Sequence, residues 1–141
     1  MSDKPIVFTT THRVRFSELD IYEHVSTAYY GTYYVDHRMQ ALRERFGWDF
    51  AAIAALPFMV WVKRMEIDFV RPVAADQEFA ITSFVRSFEG PYAAIECRMT
   101  DKAGQDLSRC LMTVVRIDKG TLRPAPWKPE EIALFYERDE A

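Results

Sequence analysis

The sequence predicts an α+β domain in which an antiparallel sheet is wrapped around one long helix. Three observations carry that expectation. Residues 26–46 run without proline and carry apolar side chains at helical spacing. Downstream, apolar and polar residues alternate with a period of two in segments separated by Gly- and Pro-containing turns. Upstream, residues 9–16 are β-branched, basic and aromatic, a strand-like composition.

In chain order, the first strand leads into a short crossing that holds Glu18, Asp20 and His24. The helix follows over 26–46, with Ser26 or Thr27 placed to cap its first turn and Gly47 as its stop. One stripe is Ala28, Val35, Met39, Leu42 and Phe46; a second is Tyr30, Tyr33, Tyr34, His37 and Ala41. Two stripes make a wide apolar face, so the helix is expected to be buried on most sides. A short irregular or helical piece spans 48–56. Then Met59, Trp61, Met65, Ile67 and Phe69 are expected on one face of a strand, with Arg64, Glu66 and Asp68 on the other. Pro72 ends it, and 78–88 forms the next strand, turning at Glu89-Gly90-Pro91. Residues 92–100 alternate Ala93, Ile95, Cys97 and Met99 against Tyr92, Glu96 and Arg98, and close at Lys102-Ala103-Gly104. The last long strand is 106–118. Pro124, Pro126 and Pro129 precede a short helix over 130–138.

The 141 residues suit one domain, 1–141, with no repeat or linker to divide it. No apolar run reaches the roughly 20 residues that cross a bilayer, and residues 1–5 lack the organisation of a secretory signal, so a cytoplasmic protein is expected. Net charge is -3 with the signs interspersed, which argues against nucleic-acid and membrane partners. Two cysteines, Cys97 and Cys110, read as reduced buried thiols. His12 and His37 lack the Cys or carboxylate spacing of a metal site, and neither a Gly-x-Ser-x-Gly elbow nor a Gly-rich phosphate loop is present.

The chemistry concentrates in Arg15-Phe16-Ser17-Glu18-Leu19-Asp20-Ile21-Tyr22-Glu23-His24-Val25. A carboxylate on a loop that feeds a helix N-terminus stands beside unpaired N–H groups and the positive dipole end, an arrangement suited to a hydrolase. Asp20 is equally suited to an Asx-turn or a helix cap. Glu18, two residues earlier in an extended segment, would share its side and support it. His24 can donate to Asp20, bind a substrate carbonyl, or satisfy loop carbonyls.

This run resembles the amino-terminal signature of the 4-hydroxybenzoyl-CoA thioesterase branch of the hotdog-fold superfamily. Its elements here are Phe16, Ser17, Glu18, Asp20, His24, Val25, Tyr30, Tyr34, Asp36 and Arg38. A second block, from Ile67-Asp68-Phe69-Val70-Arg71-Pro72 to Asp76, resembles the family's strand, proline turn and acidic start of the next strand. The likeness covers about residues 10 to 125. It implies a hotdog fold, a homodimer or homotetramer with acyl-CoA sites between subunits, and hydrolysis of an acyl thioester to acid and thiol without metal or cofactor. It assigns Asp20 as nucleophile or general base, with His24 and Glu18 beside it and helix N–H groups polarising the carbonyl. Tyr30, Lys63, Arg64 and Arg71 are the candidate substrate-binding residues, the three cations as holders of the CoA phosphates. Two departures stand out: Glu23 occupies the position where the family has Gly directly before the His, and Ser26 and Thr27 replace Asn residues. Asp36, which matches the acid of the helix signature, is expected in an ion pair; another hotdog branch uses a helix-borne carboxylate as its catalytic residue. Rival readings are a noncatalytic acyl-thioester-binding hotdog protein and, last, a hotdog dehydratase or hydratase.

Overall fold

A computed structural model describes residues 3–138. Five antiparallel strands form one sheet in the order β1-β3-β4-β5-β2: β1 Phe8–Arg13, β2 Phe58–Phe69, β3 Glu78–Glu89, β4 Tyr92–Thr100 and β5 Asp106–Asp118. Helix α1, Tyr30–Phe46, packs on one face, preceded by a 3-10 turn at Thr27–Tyr29. Two short helices follow, α2 at Phe50–Ala54 and α3 at Pro129–Ala133; α3 is shorter than the expected 130–138.

The alternation read in β4 continues in β3 and β5 as one buried face. Phe8 lies opposite Ser83, Ser83 opposite Cys97, Cys97 opposite Cys110 and Cys110 opposite Ile67, a row that crosses all five strands beneath α1. The two thiols are free and buried, as expected. Ile81 is fully shielded, worth about 2 to 3 kcal/mol of burial by itself.

Strand β2 corrects the expected face. Register shifts between Val62 and Arg64, so Lys63 is an extra residue in a bulge. The shift reverses parity: Phe58, Val60 and Val62 face α1 before the bulge, and Met65, Ile67 and Phe69 face it afterwards. Met59 and Trp61 lie on the opposite face, against Ile117 and Val115.

Helix α1 corrects a second expectation. Tyr30, Tyr33, Tyr34, His37, Arg38 and Ala41 are buried against the sheet, whereas Val35 and Met39 of the other stripe remain 38% exposed each. The helix is thus buried along one side, because the sheet covers only the tyrosine stripe. Gly47 ends it at φ 70°, the left-handed geometry glycine adopts freely. Ser26 makes no side-chain cap, however, and neither does Tyr29 at the start of α1.

Polar groups also cross the core. Thr10 Oγ1 bonds to His12 Nε2 and to His37 Nδ1, each at 2.7 Å; His37 Nε2 bonds to Ser83 Oγ at 2.6 Å, which accepts from Arg38 Nη1 at 3.1 Å. Arg38 can only donate, so Ser83 Oγ accepts from it and keeps its own proton available to His37 Nε2. Burial, then the charges of Arg38 and His12, push His37 down to about 3. The unfolded chain, titrating near the ordinary histidine value of about 6.5, therefore takes up this proton first. His37 contributes fully above that pH and its contribution is lost as pH falls toward 3. Urea unfolding is expected to show about 2 kcal/mol less stability at pH 5 than at pH 7.5 from this group, and His37→Phe, whatever its baseline stability, should show a shallower pH slope.

Candidate active site

The chain between β1 and α1 is not extended. Phe16–Glu18 form a 3-10 turn, and Leu19 pairs with Val25, closing a tight loop in which Asp20 N–H donates to the His24 carbonyl at 2.8 Å. Asp20 Oδ1 accepts from Tyr22 N–H at 2.8 Å and His24 N–H at 3.2 Å. This is an Asx-turn in which one carboxylate oxygen shapes the loop. Oδ2 takes no bond from the described residues, so the exposed carboxylate keeps an oxygen for chemistry.

Glu23, at the family's glycine position, sits at φ 59°. The loop therefore keeps the left-handed turn that the glycine would supply, with strain of about 1 to 2 kcal/mol for a side-chain-bearing residue. Glu23→Gly is expected to leave the loop and activity intact and to raise stability by up to about 1 kcal/mol, part of the relief being offset by unfolded-state entropy. Chemical denaturation measures it; a marked loss of stability would refute the strain.

The loop is pinned to the second family block. Val25 N–H donates to the Val73 carbonyl at 2.8 Å and Ala75 N–H to the Glu23 carbonyl at 3.1 Å. Asp20, His24, Thr27, Tyr30, Phe69 and Arg71 consequently line one cleft of about 270 Å³. Tyr30 stands edge-on to Phe69 at 4.8 Å, and burial raises its hydroxyl above the ordinary tyrosine value. The N–H groups of Thr27 and Ala28 open the 3-10 turn and have no acceptor within it. Nothing in the sequence pattern singled out Thr27 and Phe69 as cleft residues; their positions in the two matching blocks were the available signal.

The other expected site residues are placed differently. Because 16–18 is a turn, alternation does not bring Glu18 to the side of Asp20. Its Oε1 accepts from the Tyr33 hydroxyl and from Arg15 N–H, which ties the turn to α1. Burial first, then this carboxylate, raise the Tyr33 hydroxyl far above its usual range. Arg71 enters the cleft while its guanidinium also donates to Gln105. Lys63 and Arg64 do not line it: Lys63 Nζ rests 4.4 Å from the Tyr92 ring centroid, and Arg64 pairs with Glu66 at 2.5 Å. Asp36 is exposed on α1 and has no ion-pair partner among the described residues, contrary to expectation. Among the described residues no three His, Cys, Asp or Glu side chains are grouped to hold a metal ion, and no helix is long and apolar enough to cross a membrane.

A five-stranded antiparallel sheet packed on one long helix is the hotdog architecture. The chain belongs to the thioesterase-like superfamily, whose family model matches residues 14–135. No curated protein sequence matches it. Among solved structures it is similar to the probable thioesterase YbaW from Escherichia coli, with TM-score 0.81 and 24% identity over 92% of this chain and 99% of that one. The DHNA-CoA thioesterase from Staphylococcus aureus superposes with TM-score 0.79 at 12% identity, over 92% of this chain and 88% of that one. A Thermus thermophilus thioesterase complexed with coenzyme A and zinc gives 0.75 at 23% identity, over 91% of each chain. At these identities the likeness establishes the fold.

Proposed function

We propose that this chain is an acyl-CoA thioesterase. The observation that carries the reading is the convergence of Asp20, His24, Tyr30 and Arg71 on one cleft at the entry to α1, in a member of the thioesterase-like superfamily. Similar folds that bind coenzyme A, such as the Thermus protein, support the carrier. In this reading the thioester carbonyl lies against the N–H groups of Thr27 and Ala28, which stabilise the developing oxyanion. Asp20 Oδ2 either attacks the carbonyl carbon, expelling the thiolate and leaving an anhydride for water to open, or takes the proton from an attacking water. His24 orients the carbonyl or the water. Glu18 acts as a positioning residue through Tyr33. Release of thiol from a panel of acyl-CoAs of graded chain length and of aromatic acyl-CoAs tests the reading; no turnover of any member would overturn it.

One observation favours a second reading, a noncatalytic protein that binds acyl thioesters: Asp20 Oδ1 is already occupied in shaping its loop. Saturable acyl-CoA binding without thiol release would select it.

Arg71 is the proposed holder of CoA phosphate, with Lys63 and Arg64 contributing less because neither lines the Asp20 cleft. Arg71→Ala is expected to raise KM for acyl-CoA by about tenfold with kcat nearly unchanged, the pattern of a lost contact remote from the reacting bond. Lys63→Ala and Arg64→Ala should move KM less, and equal effects from all three would assign the phosphates elsewhere.

The proposed assembly is a homodimer or homotetramer of cytoplasmic protein. Its support is an edge strand, β2, on which Val60, Trp61 and Val62 are about half exposed, beside the open Val35–Met39 side of α1. Light scattering at micromolar concentration measures it, and an active monomer would count against it.

A further inference from the structure

The two cysteines of the chain stand directly opposite each other on neighbouring strands, Cys97 on β4 and Cys110 on β5. Both are free, each is 4% exposed, and neither has a part in the proposed hydrolysis. Cys97 donates its thiol proton to Cys110; that bond, then burial, raises Cys97, and the same bond lowers Cys110. Strand register fixes their separation. Arg116 N–H donates to the Pro91 carbonyl, which makes Pro91 and Arg116 a hydrogen-bonded pair, and pairing runs unbroken from Tyr92 opposite Val115 to Met99 opposite Ser108. Cys97 and Cys110, six steps on from Pro91 and Arg116, are therefore a hydrogen-bonded pair as well. The Cβ atoms of such a pair stand about 5.5 Å apart, whereas a disulfide draws them in to about 3.8 Å. The gap suits an ion held between two sulfurs better than a bond joining them.

Beside the pair stands an unanswered charge. Arg38 of α1 is 8% exposed, and no carboxylate among the described residues pairs with it. Its Nη1 donates to Ser83 Oγ at 3.1 Å, and Ser83 is the β3 residue directly opposite Cys97. Burial lowers Arg38 to about 10, with the Cys97 thiol beside it working the other way, so the guanidinium is charged at neutral pH. A buried cation without an anion is expensive. A monovalent ion bound by two thiolates carries one net negative charge and answers it. A disulfide is neutral, and so is a divalent ion on two thiolates; neither would. The surroundings are soft as well, because Met99 and Met112, 1% and 2% exposed, are the next inward residues on the same two strands. Thiolate and thioether sulfur select copper(I)-like ions, and no third or fourth ligand stands by to complete the shell of zinc.

We propose that Cys97 and Cys110 bind one soft monovalent metal ion, of the copper(I) or silver(I) class, between their two sulfurs and beside the Arg38 guanidinium. Loading replaces two thiol protons with one ion, and the anion so formed pairs with Arg38. The site is independent of thioester hydrolysis, because it shares no residue with the Asp20 cleft.

Because the chain holds no other cysteine, every thiolate bond to a metal reports on this pair. Native mass spectrometry of the full chain, equilibrated anaerobically with copper(I) in the presence of excess bicinchoninate, is expected to show one ion per chain with two protons displaced. Zinc(II) at the same concentration should not be retained. Cys97→Ala combined with Cys110→Ala should weaken copper(I) by about a hundredfold or more, and Arg38→Met by about tenfold or more. Asp20→Asn should bind copper(I) as wild type does, which separates this site from the catalytic reading. Copper(I) held as tightly by the double alanine variant, an ion gained without loss of two protons, or two protons lost with no ion gained would each overturn the proposal. So would retention of zinc(II) equal to that of copper(I). Should the variants fail to fold, the wild-type proton count and the comparison of copper(I) with zinc(II) decide it.

Discussion

Asp20→Asn is expected to lower kcat for an acyl-CoA by about a hundredfold or more while acyl-CoA binding and thermal stability stay close to wild type, the scale for loss of a positioned acid-base group. The loop geometry makes this substitution informative. Oδ1 accepts from the N–H groups of Tyr22 and His24, and an asparagine carbonyl oxygen accepts the same two bonds. The Asx-turn therefore survives, and what disappears is the charge and basicity of the carboxylate. A purely structural Asp20 would tolerate the change. Asp36→Asn is the matched control, since that carboxylate is exposed and unpaired among the described residues; it should be nearly neutral in both activity and stability. Normal turnover by Asp20→Asn beside a folded, inactive Asp36→Asn would move the chemistry from the loop to the helix.

The largest stability effect is expected at Arg116. Its guanidinium donates to both oxygens of Glu131, at 2.8 and 3.0 Å, and lies 4.5 Å from the Phe58 ring centroid, with the two side chains 4% and 13% exposed. The pair clamps α3 onto β5. Burial alone would raise the Glu131 carboxyl; the hydrogen bonds from Arg116 and Lys128 N–H and the Arg116 charge outweigh it and hold the group below its usual value. A depressed folded-state carboxylate stabilises above its unfolded pKa, and that contribution is lost as pH falls through the lower folded value. Arg116→Met leaves a largely buried carboxylate without its counter-charge, with an expected loss of roughly 3 kcal/mol and a Tm lower by about 10 °C. Adding Glu131→Met should restore much of that loss, because an apolar pair replaces a stranded charge. A double variant no better than the single would show that the bidentate bond itself, rather than the orphaned acid, carries the energy.

Much of the fold was legible because its signals are local. Alternation in β4 placed Ala93, Ile95, Cys97 and Met99 inward to the residue, and Gly47 and Gly90 marked real chain reversals. The failures are equally physical. A bulge at Lys63 adds a residue without changing composition, so periodicity continued across it placed Met59 and Trp61 on the wrong face. The 3-10 turn at Phe16–Glu18 has no distinct apolar rhythm, and Glu18 was consequently put beside Asp20 when it bonds to Tyr33. Arg38 lay beside the predicted tyrosine stripe, but its burial depends on Phe8 and Ser83, residues distant in sequence. For the candidate site, sequence order sufficed to bring Asp20 and His24 together, and the Glu23 departure marked the backbone's left-handed turn. The partition of the cations could not be read, because Arg71 reaches the cleft through the pairing of two loops.

The bulge in β2 has a consequence for deletion. On either side of Lys63 every partner on β5 is already consecutive, Val62 with Val114 and Arg64 with Thr113, so excising the lysine codon would join two strand halves that are in phase. Excision of Lys63 should therefore leave the pairing of both strand halves intact. A mutational scan should likewise show apolar preference on even positions before Lys63 and on odd positions after it, two rhythms within one strand.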